Sequence, residues 1–273
     1  MAINFSKYAV TDFETGGTTK NRQPLSIGCV MLDPRKLTIC DNGAFYSLIK
    51  PVEAEDCHKF GLDPVENEAL MKNGLTMEEL RKAPPIKKVF GEFVEFIKYH
   101  NPKAKKWDAP IFTGWNFTFD WEIMENLCDG LLEGRHTIQN KLPAKTTIKK
   151  IADKEVEIEG VKEPWGFGPP IENLFRPFPQ IEVSQYAFSF FESHREPHLL
   201  NISSVKAHLG FGNEGMHNAL VDCLWTAELF ARFLRLQRIF ASEIDFKTEG
   251  ETFLDIQKEI NKFEKKKDIH SVS

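Results

Sequence analysis

The 273-residue sequence has no apolar run approaching the roughly 18 residues that a membrane-spanning helix requires. Its N-terminus lacks a basic segment followed by an apolar stretch, so no secretory leader is expected and a cytoplasmic location is. The cysteines Cys29, Cys40, Cys57, Cys128 and Cys223 are odd in number and form no C-x-x-C pair, which points away from a zinc ribbon or a disulfide framework. Positive charge is not in excess either. With 35 Lys and Arg against 40 Asp and Glu the net charge is −5, which argues against sequence-independent coating of duplex nucleic acid. That balance still allows a local site where cations neutralise both protein and phosphate. Tyrosine is scarce beside phenylalanine, and the phenylalanines read as core.

What the chain does contain starts with "YAVTDFETGG". A buried strand over Tyr8–Asp12 ends in two carboxylates, Asp12 and Glu14, which alternation places on one face with Phe13 on the other. Two like charges about 4 Å apart cost roughly 4 kcal/mol at an effective dielectric near 20, so the pair needs a counter-charge. "LSIGCVML" (Leu25–Leu32) and "AFYSLIK" (Ala44–Lys50) read as two further strands of a meander, separated by the turn-forming "DPRK" and "CDNG". Ile86, Val89, Phe90, Phe93, Phe96 and Ile97 fall at helical spacing and form one apolar face. "PIFTGW" (Pro110–Trp115) reads as a fourth strand running into a helix over Asn116–Cys128. Later helices are expected in "SQYAFSFFESH", "NISSVKAHLGF" and 217–240, the last with Leu220, Leu224, Ala227, Ala231 and Leu234 on one face. Strands followed by alternating strand and helix imply an α/β fold with a mixed sheet.

In such folds ligands bind outside the carboxyl ends of parallel strands, so the first and fourth strands deliver Asp12, Glu14 and Asp120 to one edge. Asp222 lies in the last long helix, five residues after His217, among apolar neighbours where an acid needs a partner. Four clustered carboxylates without cysteine suit magnesium or manganese. Two such ions roughly 3.5–4 Å apart can clamp the attacking and leaving oxygens of a phosphoryl displacement. His217 is of the residue type most used as a general base, while taken alone it reads more readily as a loop or capping histidine. "NFTFD" taken alone is a helix start, with Asn116 or Thr118 as cap.

In combination, "DFETGG", "NFTFD" and "HNALVD" carry D-x-E, N-x-x-x-D and H-x-x-x-x-D in that order. This order resembles the DEDDh group of 3′→5′ exonucleases, and the resemblance spans roughly 6–128 and 181–238. It implies a ribonuclease-H-like fold, a mixed five-stranded sheet with helices on both faces. It further implies that Asp12 bridges two Mg2+ or Mn2+ ions, Glu14 and Asp222 complete the first site, and Asp120 holds the second through water. His217 would take the proton of the attacking water, and a 5′-nucleotide would leave the single-stranded 3′ end of DNA or RNA. Thr15 and Gly16, after the D-x-E, would hold the terminal nucleotide, with Asn116 beside it. Phe119 would stack on a base or belong to the core.

Trp115 stands where His or Tyr is frequent in that group, and the stretch at about 131–180 exceeds what a compact member needs. Its alternating "TTIKKIADKEVEIEGV" suits a β-hairpin. Lys145, Lys149, Lys150, Trp165 and Phe167 make it either a flap that grips a single strand or an elaboration on the core or at an oligomer contact. The exonuclease-like domain is expected over 1–240 and a charged tail over 241–273. Phe253, Ile256, Ile260 and Phe263 of the tail would dock on the chain's own domain or on a partner, such as a polymerase. Two other classes stay open here: a binding or scaffolding module without catalysis, and a phosphohydrolase acting on small nucleotides.

Overall fold

A computed structural model describes residues 6–103, 105, 107–128, 147–151, 154–158, 171–193, 201–211 and 217–243. By internal contacts the chain divides into Met1–Phe233 and Leu234–Ser273. The first unit holds the sheet. Of the second, the described part is the C-terminal stretch of the last helix, which exposes Leu236, Ile239 and Phe240. The aromatic flap residues Trp165 and Phe167, Lys145, and the tail stripe Phe253 to Phe263 lie outside the described residues.

Strands β1 (Tyr8–Thr15), β2 (Pro24–Leu32) and β3 (Ile39–Leu48) form the expected antiparallel meander. β1 is the middle of a five-stranded mixed sheet. Its other side pairs in parallel with β4 (Ile111–Gly114). The hairpin also forms, β5 (Thr147–Ile151) antiparallel to β6 (Lys154–Ile158). The fifth strand of the main sheet is β7, only Ile181–Glu182, parallel to Thr113–Gly114. Two residues are too few to leave a periodic signal, so sequence reasoning did not place it. β3 starts earlier than expected. "CDNG" is not a turn between strands but an irregularity within β3, with Asn42 at φ 52° and a register shift opposite Val30 and Leu32.

β1 and β2 are buried along nearly their whole length because helices cover both sheet faces. Short helices α1 (Cys57–Phe60), α2 (Asn67–Asn73) and α3 (Met77–Lys82) precede α4 (Ile86–His100). On one face Ala9, Phe13, Ile27 and Met31 pack with Phe90, Phe93 and Ile97 of α4. Ile123, Met124 and Leu127 of α5 (Phe117–Cys128) and Leu174 of α6 (Ile171–Leu174) join them. Beyond the other face α7 (Val183–Ser193), α8 (Ile202–His208) and α9 (Ala219–Glu243) share a cluster of Ala187, Phe191, Val205, Leu229 and Phe233. The Tyr8 and Phe230 rings meet edge to face at 4.9 Å, which seats α9 on the sheet. No helix among the described residues is long and apolar enough to cross a membrane.

The buried face of α9 is broader than expected. Ala227 and Ala231 of the expected stripe are buried and Leu220 and Leu234 are half-buried, but Leu224 is 38% exposed, and Ala219, Cys223, Thr226, Phe230 and Phe233 also turn inward. The first two turns, "ALVDCLW", are apolar nearly all round, so helical spacing admits two adjacent stripes there, and sheet contact favours the one that begins with a small residue.

Candidate active site

The functional side chains converge where the β1–β4 ladder ends. β4 pairs with β1 only from Tyr8 to Val10. Beyond that point the Phe13 N–H donates to Asp120 Oδ1 at 2.9 Å, so the first turn of α5 takes over from the strand. The start of α5 is capped neither by Asn116 nor by Thr118. Glu182 of β7 accepts from the Asn116 N–H at 2.8 Å, the Phe117 N–H at 2.7 Å and the Ser184 N–H at 3.0 Å. One carboxylate thereby satisfies orphan donors at the N-termini of two helices. Asn116 itself sits at φ 58°, in the left-handed region that asparagine tolerates.

At the far end of the chain, Asn218 Oδ1 accepts from the Leu220 and Val221 N–H groups at 3.1 and 3.3 Å and caps α9. The capping role considered for His217 therefore belongs to its neighbour. His217 occupies φ 64°, and its N–H donates to Asp222 Oδ2 at 3.0 Å. That bond folds the turn back on the helix start and presents the imidazole to the cleft.

Asp12, Glu14, Asp120, His217 and Asp222 line one cleft of about 360 Å³ together with Thr15, Asn116 and Phe119. Potential ligand atoms of Glu14, His217 and Asp222 lie within 4.8 Å of one another. Asp12 and Asp120 share the cleft but stand outside that tightest trio. Gly16 does not border the cleft. Its N–H donates to the Gln23 carbonyl and its carbonyl accepts from the Glu66 N–H, both at 2.8 Å, while Gly17 and Thr18 reach the cavity wall.

Electrostatics in this cleft favours protons or cations. Burial, reinforced by Asp120, Glu14 and Asp222, pushes the Asp12 carboxyl well above the usual range. Burial and Asp222 raise Glu14 to about 7, against a smaller opposing pull from Lys72. Burial also raises Asp120, against the Phe13 N–H and Arg22, and raises Asp222, against the His217 N–H. Among the described residues none of the four acids takes part in an ion pair. Asp222 Oδ1 is buried with no hydrogen-bond partner. Oxygen donors held against their own repulsion, one of them orphaned, fit a divalent cation.

Neither a protein-family model nor a curated relative matches the sequence. Solved structures do match the fold. The nuclease domain of 3′hExo, a DEDDh family member bound to rAMP, aligns over 86% of this chain and 94% of its own (TM-score 0.53, 13% identity). The cell-death related nuclease CRN-4 aligns over 85% of this chain and 65% of its own (TM-score 0.53, 15% identity). E. coli exonuclease I in complex with a dT13 oligonucleotide aligns over 87% of this chain (TM-score 0.54, 12% identity). The chain has the fold of the DEDDh 3′-exonucleases. It spans 43% of exonuclease I and 65% of CRN-4.

On this exonuclease fold, several cleft residues carry no motif. Glu66, Glu68, Ala69, Lys72 and Asn73, on α2 and the residue before it, line the wall facing the acids, and Asn73 Nδ2 donates to the Thr15 carbonyl at 3.1 Å. A seven-residue polar helix leaves nothing in the sequence to mark it as a site wall. Gly28 did leave a signal, as a glycine inside an otherwise fully buried strand. It pairs with Asp12 across the ladder, and a Cβ there would lie 2.4 Å from the Ala219 carbonyl carbon and oxygen. The bare backbone lets α9 approach β2 closely enough to bring Asp222 to the acids of β1. Gly28→Ala is therefore expected to cost about 1–3 kcal/mol and to weaken divalent-cation binding. Thermal melting and Mn2+ titration check this, and an unchanged melting temperature with unchanged affinity would refute the close-packing role.

Proposed function

We propose that this protein is a metal-dependent 3′→5′ exonuclease that releases 5′-nucleotides from single-stranded 3′ ends. The observation that carries the reading is the meeting of Asp12, Glu14, Asp120, His217 and Asp222 in one cleft on this fold. Asp12, Glu14, Asp120 and Asp222 would hold two divalent cations, and the carboxylate donor set favours Mg2+ or Mn2+. When bound, the ions supply Lewis-acid stabilisation of the phosphoryl oxygens and make water more acidic.

The remaining chemistry belongs to the chain. His217, beside Glu14 and Asp222, accepts the proton of the attacking water. The water oxygen bonds to phosphorus as the bond to the 3′-oxygen of the preceding residue breaks. One nucleotide leaves with a 5′-phosphate, and the shortened strand keeps a 3′-hydroxyl. Thr15, Asn116 and Phe119 border the space beside the acids and are assigned to the terminal nucleotide. The cleft volume lies at the small end of the range for ligand sites, which favours a single splayed nucleotide over a duplex. The rAMP and dT13 held by two structures of this fold support the same substrate class.

The test is a gel assay with 5′-labelled single-stranded DNA and RNA of one sequence, in Mg2+, in Mn2+ and with chelator. A metal-dependent ladder shortening from the 3′ end is the expected result, and its strength on each polymer names the preferred sugar. Absence of a ladder on both, with cation binding intact, would overturn the reading in favour of a binding module. Cleavage confined to free nucleotides would replace it with a small-nucleotide phosphohydrolase.

A further inference from the structure

Arg22 makes a set of contacts that the chemistry above does not use. Its side chain is 3% exposed. Nη1 donates to the Thr19 carbonyl at 2.8 Å, and Nη2 donates to the Phe119 carbonyl at 2.8 Å and to Glu122 Oε2 at 3.0 Å. The guanidinium carbon also lies 3.6 Å from the centroid of the Phe119 ring. Phe119 borders the cleft and Arg22 does not, so the guanidinium backs the ring from outside the cavity.

We propose that Arg22 is a positioning residue that holds the Phe119 ring as a platform for the base of the 3′-terminal nucleotide. The proposal rests on the exonuclease reading. A phenyl ring on the first turn of a helix would otherwise move among rotamers. Here a planar cation covers one face and is itself anchored to two elements, the turn after β1 and the first two turns of α5. The ring cannot turn without breaking the stack or those bonds. Lysine could keep a positive charge near Asp120 but has neither the plane nor the fork, so Arg22→Lys separates ring-holding from charge. Stacking on an aromatic face is tolerant of base identity because every base has a π face. The platform therefore distinguishes a 3′ end with a base from one without, and distinguishes little among bases.

The experiment compares a 5′-labelled oligonucleotide ending in an ordinary nucleotide with the same strand ending in an abasic residue. Cleavage in Mg2+ is measured for the wild type, Arg22→Lys, Phe119→Leu and the double variant. The wild type is expected to favour the base-bearing end about tenfold in kcat/KM. Each single variant should lose most of that preference, chiefly through KM, and the double variant should lose no more than either alone. Should Arg22→Lys not fold, Glu122→Ala removes one of the guanidinium's three hydrogen bonds with Arg and Phe both in place, and a partial loss of preference is expected. An unchanged preference in Arg22→Lys or, where that variant does not fold, in Glu122→Ala, or an equal loss on both substrates, would overturn the platform while leaving the exonuclease reading intact. A wild type that neither cleaves the strands in Mg2+ nor binds them in Ca2+, read by fluorescence anisotropy, would overturn both.

Discussion

Asp12→Asn is expected to reduce 3′→5′ nuclease activity by at least about a thousandfold, since it removes charge stabilisation at the reacting phosphate. The same substitution is expected to raise the melting temperature of the metal-free protein by a few degrees. Both effects have one cause. Burial raises the Asp12 pKa most, and Asp120, Glu14 and Asp222 raise it further. An amide of the same shape removes that electrostatic cost while also removing a proposed cation ligand. Activity assays and thermal melts in chelator, run on one preparation of each protein, check the pair. Comparable activity in the variant would sink the nuclease assignment. A lower metal-free melting temperature would sink the clustered-acid account instead.

Metal-free stability is expected to fall as pH rises from about 5 to 8, opposite to the trend of an ordinary salt-bridged carboxylate. Glu14 titrates near 4.5 in the unfolded chain and at about 7 in the folded one. Between those values the folded state holds a proton that the unfolded state has released. Its contribution to stability is thus complete below about 4.5 and is lost as pH rises through 7. For Glu14 alone the loss amounts to roughly 3 kcal/mol, and Asp12, Asp120 and Asp222 act in the same direction. On the proposed cation-binding role, divalent cations would displace these protons, so Mg2+ or Mn2+ should stabilise the protein more at pH 8 than at pH 5. Melting curves across that range, with chelator and with metal, decide the matter. A metal-free melting temperature that climbs from pH 5 to pH 8 would contradict the prediction.

Much of the fold could be read from short stretches because its signals are local. Asp12 and Glu14 share a strand face, and Asp120 follows its strand within one helical turn. His217 and Asp222 sit five residues apart, where one backbone hydrogen bond can join them. The rest depends on partners distant in sequence. Glu182 caps a helix that begins 65 residues earlier, and its own strand is two residues long. Arg22 lies in a polar turn, and its place behind Phe119 is set by the packing of that turn on α5. The close approach of Ala219 at the start of α9 depends on Gly28 of β2, a residue that no helical periodicity within α9 can report. In each case the deciding atom belonged to another element.

The seat of α9 on Gly28 would also tie the proposed activity to a single docking event. β1 brings Asp12 and Glu14 together within a meander of strands that are neighbours in sequence. Asp222 and His217 arrive only when the last helix closes on the sheet, and they arrive together. Loosening of the N-terminal turns of that helix would withdraw the proposed base and one acid at once while the central strands stayed paired. Heat or denaturant would then silence the proposed activity before the sheet opens, and a newly made chain would lack that activity until its final helix was in place.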